Sequence, residues 1–208
     1  MRSLILALLL TSPTFAQIHS GDVELGVADG MIVTNERVYD AEFGEIIPNE
    51  VDEPGFDSLP GTFPTGSSIG FTILDSLRKW NGTDFATIPT ETVSIAFGTS
   101  LGPVVTPVTP SLVNGFHLNV SSDGSWHRHY DFVLNTPQSK GIYLLQLQLS
   151  SSDPTIDPTD PFFIVFNQND SVFNHDAAIG FVESLLLVPE PSGLLLALIG
   201  GLCLRIRR

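Results

Sequence analysis

The chain has 208 residues, 42% of them hydrophobic, a single cysteine and a formal charge of −14. So acidic a surface repels nucleic acid and anionic lipid and favours cations, which excludes nucleic-acid recognition. The lone cysteine excludes an intrachain disulfide and any multi-thiolate zinc or iron–sulfur centre.

In chain order, Arg2 and the apolar run Leu4–Leu10 precede the small-residue stretch Thr11-Ser12-Pro13-Thr14-Phe15-Ala16. A short basic start, an apolar core and a cleavable end predict a signal peptide over residues 1–16. The body then spans 17–188, a size suited to one domain with a sizeable core. Cys203 lies beyond it, so core packing or metal, not disulfides, must hold the body. Within 17–188 five basic residues stand against twenty-two acids, a formal −17.

Asp22–Val27 alternates polar and apolar as a half-buried strand, Asp29-Gly30 marks a tight turn, and Met31–Thr34 returns as its hairpin partner. Glu36–Asp57 carries eight acids against Arg37 alone, with Pro48, Pro54, Gly44 and Gly55, and predicts a long loop or lid. Strands are predicted at Ser68–Leu74, Thr92–Phe97, Phe116–Val120, His127–Leu134, Ile142–Leu149, Phe162–Phe166 and Ile179–Leu187, with Gly102–Pro110 an irregular edge. Asn167–Asp176 is a polar loop, so the last strand runs almost directly into the tail. Short strands separated by Gly, Pro and Asp predict an all-β fold, a single β-sandwich of jelly-roll or immunoglobulin-like outline.

Chemistry concentrates in Trp126-His127-Arg128-His129-Tyr130-Asp131-Phe132-Val133-Leu134. On a strand His127, His129 and Asp131 share one face, while Arg128, Tyr130, Phe132 and Leu134 line the core. Imidazoles two residues apart can converge on one zinc ion, with Asp131 as an oxygen ligand or a partner to an imidazole N–H. His19 and His117 are further candidate ligands. The competing reading is two polar residues on a solvated sheet face. Asp153, Asp157 and Asp160, and the group Asn167, Asn169, Asp170, Asn174 and Asp176, carry oxygens suited to calcium but without EF-hand spacing, and read as turn formers. No nucleophile elbow, phosphate loop or dinucleotide fingerprint occurs.

The chain ends in Pro189-Glu190-Pro191, the apolar stretch Gly193–Leu204, and Arg205, Arg207 and Arg208. Twelve apolar residues make only about 18 Å of helix, short for a bilayer core of about 30 Å. This tripartite tail over 189–208 resembles the PEP-CTERM sorting signal of Gram-negative bacteria. The resemblance implies export, transient anchoring in the inner membrane through residues 193–204, and cleavage near Pro-Glu-Pro by the transpeptidase exosortase. It further implies delivery of the body to the cell surface or extracellular matrix.

A second resemblance lies in the body. His127-x-His129, Phe132, Pro137 and Gly141-Ile142-Tyr143-Leu144 resemble a repeat of bacterial surface-anchored proteins. Together with His19-Ser20-Gly21-Asp22-Val23-Glu24-Leu25 they are similar to a zinc-starvation-induced group that carries the same tail. The chain departs from the repeat by the insertion Gln138-Ser139-Lys140, and Asp131 stands close to where the repeat has Trp. These residues lead to an exported, non-enzymatic surface protein that binds zinc through the His strand. The alternative is a structural or exopolysaccharide-adhering module without metal, with Trp80 and Trp126 stacking on sugar rings.

Overall fold

Thirteen strands and one helix build the body in a computed structural model that describes residues 21–187. The predicted leader, His19 and the sorting tail lie outside the described residues. Among those described, no helix is long and apolar enough to cross a membrane.

The predicted first hairpin forms. β1 (Val23–Ala28) and β2 (Met31–Thr34) pair antiparallel around Asp29-Gly30, both residues at positive φ. The acidic stretch after it is not one loop. It contains β3 (Val38–Glu42), β4 (Glu50–Val51) and β5 (Phe56–Ser58). Val38, Tyr39, Ala41, Val51 and Phe56 are buried, so the apolar residues scattered among the acids suffice to seat short strands.

β6 (Ser68–Ile73), the two-residue β7 (Arg78–Lys79), β8 (Val93–Phe97), β9 (Leu101–Val105) and β10 (Val113–Asn119) follow. Then come β11 (Asp131–Leu134), β12 (Gly141–Ser151) and β13 (Phe162–Gln168). They form three sheets, ordered β2-β1-β5, β10-β6-β12-β13-β3 with β7 also on β12, and β4-β11-β8-β9. The proline-rich β9 takes the edge position foreseen for it. Two pairings are parallel, β1 with β5 and β3 with β13, and both join strands remote in sequence.

β12 is the spine of the larger sheet. Its residues Tyr143, Leu145, Leu147 and Leu149 enter a core fed by all three sheets. Ile142 and Leu144 point the other way, into a smaller core beneath α1 (Val172–Leu186). Trp126, Tyr130, Phe132 and Leu134 are fully buried in the main core, as the predicted inward set requires. Arg128 leaves that set: its guanidinium donates to the carbonyls of His127 and Asn119, at the edge of the Trp126 ring.

Helix α1 replaces the predicted final strand and half of the polar loop before it. Ser171 caps it, its Oγ accepting from the Asn174 N–H at 3.2 Å. His175, Ala178 and Val182 recur at helical spacing on the face against the sheet. His175 anchors that face, with Nε2 2.9 Å from the Val165 carbonyl and Nδ1 3.2 Å from Glu42. A run of nine apolar-rich residues, Ile179–Leu187, suits either structure by composition. Once β3 occupies the edge of the large sheet, packing on its face decides for the helix.

Candidate metal centre

Three chain segments lie side by side here. β1 runs parallel to β5, with Val23 opposite Phe56 and Glu24 opposite Asp57. On the other flank of β5, Phe56 and Arg128 exchange both backbone hydrogen bonds, at 2.8 and 2.9 Å, as one antiparallel bridge. This register sets Asp22, Gly55 and His129 in one cross-strand row, and Glu24, Asp57 and His127 in the next. Val23 and Phe56 are fully buried, so alternation turns both rows away from the aromatic core.

Gly55 is the middle member of the first row. Its two neighbours stand on backbones about 9.5 Å apart, two strand spacings, with no side chain between them. A β-carbon built on Gly55 falls 2.7 Å from Nε2 of His129 and 2.9 Å from Oδ1 of Asp22. The ring and the carboxylate therefore lean over bare backbone from opposite sides, into the volume that any other residue would occupy. The close approach explains the glycine; its φ is ordinary.

His127 joins them from the adjacent row, its ring centroid 5.0 Å from that of His129. One ligand atom each from Asp22, His127 and His129 lie within 4.8 Å of one another. Zinc bonds of 2.0–2.1 Å at tetrahedral angles hold donors about 3.3–3.4 Å apart, so the ligands draw inward around an ion. The side chain with most room to move is His127, 44% exposed, whereas Asp22 is buried.

His129 is held from behind. Its Nδ1 lies 3.1 Å from the Asp52 carbonyl and 3.7 Å from Glu53 Oε1, while Glu53 Oε2 accepts the Gly55 N–H at 2.8 Å. A carbonyl oxygen only accepts, so Nδ1 carries the hydrogen and Nε2 presents its lone pair over Gly55. Two imidazole nitrogens and one carboxylate oxygen suit zinc far better than calcium or magnesium, which take oxygen shells.

Among the described residues, the other two predicted ligands, Asp131 and His117, lie elsewhere. The strand predicted from His127 to Leu134 starts only at Asp131, and the histidines sit in the extended segment before it. Asp131 keeps their parity, but its carboxylate accepts the Gly98 N–H at 2.9 Å, in the turn between β8 and β9. His117 lies across β6, where a β-carbon on Gly70 would meet its Nε2 at 2.6 Å, and its Nδ1 is 3.5 Å from Ser68 Oγ. The sequence reading did not name Asp22 as a ligand, although the resemblance at His19–Leu25 contains it, and took Gly55 as a loop glycine. An Asp three residues after His19 was the available signal for Asp22.

Of the two tryptophans, Trp126 is too deeply buried to stack on a sugar ring, while Trp80 is partly buried. Trp126 is fully buried, donating from Nε1 to the Leu118 carbonyl at 3.1 Å, and Trp80 packs between Phe85 and Phe181. Asp153 and Asp170 spend their carboxylates on local turn hydrogen bonds, to Thr155 and to Ser171 and Asn174. In comparisons with protein-family models, curated proteins and solved structures, nothing matches the chain.

Proposed function

We propose that this chain is a non-enzymatic, exported surface protein whose body binds a zinc ion through Asp22, His127 and His129. The observation that carries the metal reading is the convergence of these three ligand atoms within 4.8 Å over the bare backbone of Gly55. The formal −17 of residues 17–188 adds a field that draws cations. His19, three residues ahead of Asp22, is the residue best placed in sequence to supply a fourth ligand. The main core takes side chains from both larger sheets, which supports reading the body as a β-sandwich of jelly-roll or immunoglobulin-like outline.

Export and processing rest on sequence: the leader over 1–16, then Pro189-Glu190-Pro191, the apolar segment 193–204 and the terminal arginines. In this reading the general export machinery delivers the chain, exosortase cuts near Pro-Glu-Pro, and the body reaches the cell surface or extracellular matrix, where exopolysaccharide is a candidate neighbour. Metal analysis of the exported protein tests the site. About one zinc per chain is expected in the wild type and none above background in a His127→Ala/His129→Ala variant; equal contents refute zinc binding there. Intact mass tests the processing: surface material retaining Gly193–Arg208 refutes it.

A further inference from the structure

We infer that Asp57 is the positioning residue of the metal site, fixing Nε2 of His127 as the atom given to the cation. The inference rests on the zinc reading above. Asp57 is the middle member of the second cross-strand row, between Glu24 and His127, and stands next but one to Gly55 on the same face of β5. It is buried, and its Oδ1 lies 3.4 Å from Nδ1 of His127. Approach of this carboxylate to Nδ1 makes that nitrogen the donor, so the lone pair for a metal resides on Nε2.

The two rows thus solve the same problem differently. Behind His129 a backbone carbonyl, that of Asp52, accepts from Nδ1; behind His127 a buried carboxylate stands 3.4 Å from Nδ1. His127 needs the stronger tether because its ring is the more exposed of the two, 44% against 26%. Asp57 also places a negative charge one residue from the ligand set without occupying a coordination position. That arrangement holds the ring from its Nδ1 side and leaves Asp22 as the site's carboxylate ligand.

Zinc titration of the exported protein, with long-range proton–nitrogen-15 spectra of the loaded form, tests the assignment. Wild type is expected to coordinate through Nε2 of both His127 and His129; coordination through Nδ1 of His127 overturns the inference whatever the variants do. Asp57→Ala is expected to weaken zinc binding by about 10–100-fold, with His127 divided between its two ring nitrogens. Asp57→Asn, which keeps an accepting oxygen without the charge, is expected to retain Nε2 coordination and lose less affinity. Zinc affinity within about threefold of wild type for Asp57→Ala, or equal losses in both variants with His127 unchanged, overturns the positioning role. Absence of zinc uptake by the wild type removes the site itself, a different failure.

Discussion

Replacing Gly55 by alanine puts one methyl group where Nε2 of His129 and Oδ1 of Asp22 converge, and alters no ligand and no charge. The added carbon would stand 2.7 Å and 2.9 Å from these atoms, against ordinary contacts of roughly 3.4 Å or more. With Cε1 of His129 closer still, its ring must retreat by about 1 Å and the Asp22 carboxylate by about 0.5 Å, in a site whose geometry tolerates about 0.5 Å. His129 has little space for that retreat, because turning its ring breaks the 3.1 Å contact with the Asp52 carbonyl. Misplacing two of three ligands is expected to weaken zinc by about 100-fold, or about 2.7 kcal/mol. The metal-free fold loses about one hydrogen bond, on the order of 0.5–1.5 kcal/mol, partly offset by about 0.4–1 kcal/mol because an alanine restricts the unfolded chain. Competition titration of zinc beside metal-free thermal melts separates these effects. Zinc affinity within about threefold of wild type in Gly55→Ala refutes the placement of the ion over this residue.

Other expectations concern the scaffold. Tyr130 is fully buried among Phe56, Phe71 and Phe116, and its hydroxyl has no hydrogen-bond partner among the described residues, so Tyr130→Phe should be neutral or stabilise by about 1–2 kcal/mol; a loss above 1 kcal/mol in denaturant titration contradicts this. Trp126→Ala empties a fully buried site and removes the hydrogen bond to the Leu118 carbonyl, and should cost about 3–5 kcal/mol in the same assay. Burial pushes the Glu91 carboxyl up, but hydrogen bonding from Ser139 and the Lys79 ammonium outweigh it, so its pKa lies below the usual value of 4.5. Because the folded-state pKa is depressed, the stabilisation is complete above about pH 4.5 and disappears as pH falls through the folded value. Glu91→Gln should therefore flatten the acid limb of the stability–pH curve, and an unchanged limb would remove Glu91 from that account. Ser171→Ala should cost about 1 kcal/mol by uncapping α1, read as faster amide exchange in Val172–His175.

Local patterns were legible in the sequence, and distant pairings were not. The Asp29-Gly30 hairpin, the strands around Ile69, Val93, Leu145 and Ile164, and the inward set Tyr130, Phe132 and Leu134 follow from period-two alternation and turn chemistry. The common side of His127 and His129 follows from the same alternation, although their segment is only a single bridge away from irregular structure. Asp22 and Gly55 enter the site through a parallel register between β1 and β5, which no local signal encodes. The acids of residues 36–57 masked β3 and β5 because their apolar residues are few and their partners lie far along the chain. For α1, Ser171 was a readable cap, but the apolar run ending at Leu187 has no clear helical period, and the covering of β12 and β13 decided its form.

The pairing of β3 with β13 joins Val38–Glu42 to Phe163–Asn167, so the large sheet closes only when nearly the last strand arrives. A growing chain of this design has no complete domain to form early. Until Phe162 emerges, β3 has no partner on its β13 side, β12 lacks its main neighbour, and the surface that seats α1 does not exist. Such long-range closure makes folding slow, on the scale of milliseconds to seconds typical of sheet proteins rich in remote contacts. In the export proposed above, that delay would keep the chain extended during passage and commit it to structure afterwards.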